Sequence, residues 1–215
     1  MDKLHNILNL LLPPLTISFL VFFYPFYLLI KLVSCLYKNI RFENVAGKVV
    51  LITGASSGIG EDINFWGSTY ITYFAIPHLR KSKGKIVVIT SATAIIPLPS
   101  ASVYSASKAA LLKFFETLRV EISPCIKITI AIPEFISTDM TTQFKEMYGS
   151  DFILSESVSK CAKAIFRGIG RGETYIVEPS WIKWIFLIQN VCPEIVDYVL
   201  NYIFVRYGKP YFKRD

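Results

Sequence analysis

A tyrosine four residues ahead of a lysine, Tyr104-Ser-Ala-Ser-Lys108, sets a phenol and an ammonium one helical turn apart on one face. At that spacing the cation stabilises the phenolate and draws the phenol down from its ordinary value of about 10. A tyrosine so placed exchanges a proton near neutral pH as a general acid or base. Ser91 lies thirteen residues upstream, and Asn64 stands further back in Asp62-Ile-Asn-Phe-Trp-Gly67. Ahead of both comes a glycine-rich run, Thr53-Gly-Ala-Ser-Ser-Gly-Ile-Gly60.

The elements that must hold these groups follow from the apolar pattern. Short β-branched runs predict strands at 48–53, 85–90, 127–132 and 175–178. Longer mixed stretches predict helices at 62–79, 101–122 and 155–169. Continuous apolar strands alternating with helices give an α/β fold with a parallel sheet covered on both faces. The glycine run then follows a strand and opens a helix. Gly54, Gly58 and Gly60 let the backbone turn tightly, and free N–H groups at the helix start favour a pyrophosphate. Alone, such a loop also suits a purely structural turn; Ser91 and the Tyr104/Lys108 pair behind it favour the nucleotide reading.

The chain of 215 residues is 53% hydrophobic, enough for one domain with a real core. Much of the apolar excess sits at the N-terminus, where residues 6–30 carry no charge. A run of that length can span a bilayer core, which needs about 20 apolar residues of helix. It is too long for a cleaved signal peptide and lacks a small-residue cleavage site. Pro13, Pro14 and Pro25 predict kinks, so a bent insertion into one leaflet, as around a lipid droplet, is the alternative. Lys31, Lys38 and Arg41 on the C-terminal flank place the globular part on the cytosolic side. The division expected is an anchor and flank over 1–41, the α/β domain over 42–180, and an apolar, aromatic tail over 181–215. For the tail, a membrane-surface helix, packing against the sheet and the lining of a substrate entrance explain the composition equally well.

The net charge of +7 is scattered, as in Arg80-Lys-Ser-Lys-Gly-Lys85, and does not form a nucleic-acid patch. Cys35, Cys125, Cys161 and Cys192 are far apart, and His5 and His78 are the only histidines, so a metal site has little to work with. The absence of an Asn-x-Ser/Thr sequon agrees with a cytosolic setting.

On these residues the chain resembles the short-chain dehydrogenase/reductase family, in particular the plant 11-beta-hydroxysteroid dehydrogenase-like proteins, or steroleosins. The resemblance rests on the proline-containing anchor, Thr-Gly-Ala-Ser-Ser-Gly-Ile-Gly, Asp-Ile-Asn-Phe-Trp-Gly and Tyr-Ser-Ala-Ser-Lys, and covers nearly the whole chain. It implies that Tyr104 is the acid/base, that Lys108 lowers its pKa and holds the nicotinamide ribose, that Ser91 orients the substrate oxygen, and that Asn64 supports a proton-relay water. Gly54, Ser56, Ser57, Gly58, Ile59, Gly60, Tyr104, Lys108 and Thr138 are the implied NADP(H) contacts. The implied reaction interconverts a hydroxyl and a ketone on a steroid or sterol. The implied setting is the endoplasmic reticulum or a lipid droplet, with a homodimer admitted.

Two features depart from the family pattern. Where the family has Pro-Gly after the third strand read here, this chain has Pro133-Glu134, which places a charged side chain beside the nicotinamide position. The second departure is larger, because only three residues separate Gly60 from Asn64. Three strands and their helices are missing there, on the order of 80–90 residues at about 30 per βαβ unit. The expected fold is therefore a truncated Rossmann-like parallel sheet of three or four strands. Either the first strand moves into the vacant place beside strand 85–90, or it is partly disordered. With the adenosine half-site gone, NADP(H) binding is expected to be impaired. The second reading is a catalytically inactive isoform acting at a lipid surface.

Overall fold

The computed structural model describes residues 2–40, 47–53, 63–148 and 153–207. They divide into two compact units, Met1–Glu43 and Asn44–Asp215. The glycine loop residues Gly54, Ser56, Ser57, Gly58, Ile59 and Gly60 lie outside the described residues.

The first unit is one helix, α1 (Asp2–Ile40), of 39 residues. Phe19, Val21, Phe22, Phe26 and Ile30 are all exposed, so the apolar surface runs around the helix. A 40° bend separates Pro13–Phe19 from Val21–Tyr37. Its position has a local cause: the ring of Pro25 clashes with the carbonyl four residues back, at Val21. Among the described residues no single helix is long and apolar enough to cross a membrane; this bent pair passes on length and composition.

The second unit is built on a four-stranded sheet of β1 (Val50–Thr53), β2 (Lys85–Ile89), β3 (Lys127–Pro133) and β4 (Tyr175–Glu178). The strands are parallel and lie in the order β1-β2-β3-β4. β1 pairs directly with β2, Val50 opposite Lys85 and Thr53 opposite Val88. Of the two arrangements expected for a shortened chain, this is the one in which the first strand moves into the vacant place. The four predicted strands stand within two residues of their expected limits, because an unbroken β-branched run suits a strand buried on both faces.

Alternate residues of the sheet face two layers. Ile86 and Val88 on β2, with Ile128, Ile130 and Ile132 on β3, face α2 (Ser68–Ser82) and α3 (Ser102–Ile122). Leu111, Phe115, Leu118 and Ile122 form the buried stripe of α3 at helical spacing. The opposite face presents Val87 and Ile176 to Ile169 of α5 (Val158–Gly170). That cover stops short of β1: Ile52, paired with Val87, is 57% exposed while Val87 is fully buried.

Helix limits follow their caps. The helix expected from 62 opens instead as a π-helical turn, Ile63–Gly67, before α2. α2 runs three residues past its expected end. It stops where Lys83 turns left-handed and the Gly84 N–H donates to the Leu79 carbonyl. A Cβ on Gly84 would stand 2.7 Å from the Val49 carbonyl, so the exit into β2 requires glycine. α5 begins three residues later than expected, where the Ser157 hydroxyl accepts from the Lys160 N–H.

Residues 181–207, the described part of the segment 181–215 set apart in sequence, belong to this unit. It forms α6 (Ile182–Val191) and α7 (Pro193–Leu200), then a π-helical turn, Asn201–Tyr207. Ile182 and Val196 are buried in the main core, and Phe204 packs with Tyr148. Of its three readings, packing onto the α/β unit describes these residues. The outer surface, with Trp184 and Tyr198, stays exposed.

Candidate active site

The sheet delivers two chain segments to one spot. β2 ends into Ser91, which is extended (φ −158°, ψ 156°) and caps a 3-10 turn over Ala92–Ala94. Its Oγ accepts from the Thr93 N–H at 3.3 Å and from the Thr93 hydroxyl at 3.0 Å. Both lone pairs are thereby engaged, which leaves the Ser91 proton for the oxygen it faces. The Tyr104 side chain opens onto the same cavity as Ser91, and its interaction with the Ser91 side chain pulls the phenol pKa downward.

α3 supplies Tyr104 and Lys108 from its first two turns. Lys108 is 4% exposed, and its Nζ stands 5.7 Å from the centre of the Tyr104 ring. Burial pushes the Lys108 ammonium below its ordinary value. The Tyr104 phenol moves upward, against the expectation drawn from spacing. Burial is the main cause, the Ser91 side chain pulls the other way, and the Glu134 charge adds to the rise. Spacing alone carried no information on burial, and burial outweighs the helical neighbour.

Glu134 is the departure that matters most. It follows β3, and its backbone N–H donates to the Glu178 carbonyl at 2.9 Å. Burial pushes its carboxyl up to about 7, and Oε2 is buried with no hydrogen-bond partner among the described residues.

Ser91, Tyr104 and Glu134 share a cavity of about 300 Å³ whose other walls include Leu98, Phe135, Met140 and Phe144. Met140 and Phe144 belong to α4 (Asp139–Tyr148), a helix not predicted from sequence. The Tyr148 hydroxyl anchors it, donating to the Pro99 carbonyl at 3.2 Å and meeting the Ser100 hydroxyl at 2.5 Å. The alternation of Met140, Phe144 and Tyr148 at four-residue spacing was the signal available.

Of the remaining predicted residues, the backbone of Asn64 and the whole of Thr138 are described. Asn64 lies in the π-helical turn before α2, with its side chain outside the described residues. The turn reaches α3 through Phe65 and Phe114, whose rings are 5.9 Å apart. Thr138 is not in the cavity wall; its carbonyl accepts from Thr142 and its hydroxyl lies 3.4 Å from that of Thr141. A larger recess, about 550 Å³, is lined by Lys160, Lys163, Arg167, Glu173, Glu178 and Lys183 among others, and contains none of the predicted site residues.

A hydroxyl pair, a buried amine and an apolar cavity mark a site for proton transfer to a carbonyl oxygen. The family described as short chain dehydrogenase matches residues 61–149. Over all of both chains, this one is 60% identical to "11-beta-hydroxysteroid dehydrogenase-like 2" of Arabidopsis thaliana. It is 30% identical to "11-beta-hydroxysteroid dehydrogenase A" of Sesamum indicum, over 95% of this chain and 89% of that one. A short-chain dehydrogenase of Burkholderia cenocepacia, solved in complex with NADP, shares the fold with a TM-score of 0.61 at 20% identity, over 78% of this chain and 71% of that one. The chain belongs to the short-chain dehydrogenase family and is an oxidoreductase of that lineage.

The Arabidopsis alignment runs over 309 positions against 215 residues, so 94 of its positions have no residue of this chain opposite them. That agrees in size with the segment inferred to be missing after Gly60. The family match begins at residue 61, just past the glycine loop.

Proposed function

We propose that the chain is built as a membrane-anchored NADP(H)-dependent oxidoreductase that interconverts hydroxyl and keto groups on steroids or sterols, with Tyr104 as the acid/base. The observation that carries this reading is that Ser91 and Tyr104 share one wall of an apolar cavity, backed by the Lys108 amine. The names of the relatives support the steroid class. The raised phenol keeps Tyr104 protonated at neutral pH, which favours donation and hence ketone reduction. In this direction the Ser91 proton holds the ketone oxygen, and Tyr104 Oη delivers the proton as that oxygen gains charge.

The residues present fit one end of the cofactor. Tyr104 and Lys108 suit the nicotinamide ribose, and NADPH when bound supplies the hydride. The adenosine end has no equivalent support among the described residues, since β1 is the margin of the sheet and pairs with β2 alone. That observation favours a second reading, an inactive isoform that retains the anchor and acts at a membrane or lipid-droplet surface. The bent apolar pair of α1 and its basic flank support attachment to the endoplasmic reticulum or a droplet, with the α/β unit on the cytosolic side.

NADPH fluorescence titration of the full chain separates the two. Saturation in the micromolar range supports the enzyme; no saturation at millimolar NADPH removes it. Tyr104→Phe then tests the acid/base, with a loss of about 100-fold or more in turnover expected. Retained turnover would exclude Tyr104 from that role.

A further inference from the structure

We infer that Glu134 determines ligand specificity in the cavity, selecting an apolar skeleton that ends in a hydroxyl over the same skeleton ending in a ketone. This rests on the proposed reading of the cavity as a steroid or sterol site. Around Glu134 the wall is largely hydrocarbon, from Leu98, Phe135, Met140 and Phe144. No described protein group hydrogen-bonds the Glu134 carboxyl. Oε2 is closed even to a water, so Oε1 is the oxygen a ligand in the cavity reaches, and a ligand hydroxyl there supplies the partner that no protein group does.

Ionised, a carboxylate only accepts hydrogen bonds. It therefore welcomes a hydroxyl, which donates, and repels the lone pairs of a ketone oxygen. The other polar groups nearby do not impose this choice. Ser91, its lone pairs filled by Thr93, donates to an alcohol or a ketone oxygen alike, and the Tyr104 hydroxyl both donates and accepts. Tyr104 is the titratable group that senses the Glu134 charge. Burial holds the carboxyl near the midpoint of its titration at neutral pH, so the selection is strongest in mild alkali. A glycine at this position would offer neither the charge nor the bulk.

The test uses the full chain in detergent micelles and two sterols that differ only at one oxygen, cholestanol and cholestanone. Binding is measured by equilibrium dialysis at about pH 8.5, above the carboxyl midpoint, with correction for partition into empty micelles. The wild type is expected to hold cholestanol about tenfold more tightly than cholestanone, the worth of one hydrogen bond to a charged group. In Glu134→Gly, and in the isosteric Glu134→Gln, that ratio is expected to fall to about twofold or less. An unchanged ratio in the variants, or equal binding of the two sterols by the wild type, overturns the role of Glu134 and leaves the steroid reading intact. Failure of the wild type to bind either sterol overturns both. If Glu134→Gly does not fold, the ratio in Glu134→Gln decides.

Discussion

Ser91, just past the end of β2, and Tyr104, in the first turn of α3, line one cavity, and Ser91 pulls the phenol pKa down against burial. Thr93 fills both lone pairs of Ser91, so the serine can only donate, and its proton is free for a substrate oxygen. Ser91→Ala should lower ketone turnover by about 100-fold while sterol binding changes little. It should also cost about 1 kcal/mol of stability through the lost cap on Thr93. Single-turnover kinetics together with a thermal melt check both statements; a weakened sterol affinity with unchanged turnover would place Ser91 in binding instead.

Glu134 makes stability fall as the solution becomes less acidic. Its folded-state pKa, about 7, lies above the usual carboxylate value, so the folded chain binds the proton more tightly than the unfolded chain. The contribution is whole below about pH 4, is lost progressively up to about pH 7, and amounts to at most roughly 3 kcal/mol. Glu134→Gln should flatten that slope. Urea midpoints across this range measure it, and parallel profiles for the two proteins would refute it.

Lys108 gives the opposite slope at high pH. Burial lowers its pKa in the fold, so the unfolded chain binds the extra proton and stability rises as pH climbs through the lowered value toward the ordinary one. Lys108→Met should melt at a higher temperature than wild type and lose NADPH binding. A variant that melts lower, with binding intact, would mean the amine serves the fold alone.

Phe115 is fully buried at the centre of the α3 stripe. Phe115→Ala should cost about 3–5 kcal/mol through lost transfer energy and the cavity left behind. Chemical denaturation reads it directly, and a loss below about 1 kcal/mol would show that the core collapses around the gap.

Much of this arrangement was legible before any coordinates. β2 and β3 were visible because strands buried on both faces read as unbroken β-branched runs, and α3 because Leu111, Phe115, Leu118 and Ile122 keep one face. The three-residue interval between Gly60 and Asn64 made the β1–β2 pairing one of two expected outcomes, since a vacant strand position leaves backbone groups to satisfy. What escaped depended on burial and long-range packing. α4 is largely polar, and its Met140, Phe144 and Tyr148 face a cavity and a C-terminal turn instead of the sheet. The direction of the Tyr104 shift depended on desolvation and on Glu134, thirty residues away in sequence. The tail read as ambiguous because its buried residues, Ile182 and Val196, are interleaved with exposed aromatics.

The new place of β1 has a consequence for handling the protein. Among the described residues no strand pairs with its outer edge, and Val49 before it and Ile52 within it are more than half exposed. Such a margin recruits further strands, from another copy as readily as from any extended peptide. The repositioned β1 is thus a self-adhesive border. The yield of soluble material should therefore depend on protein concentration more steeply than in the full-length relatives.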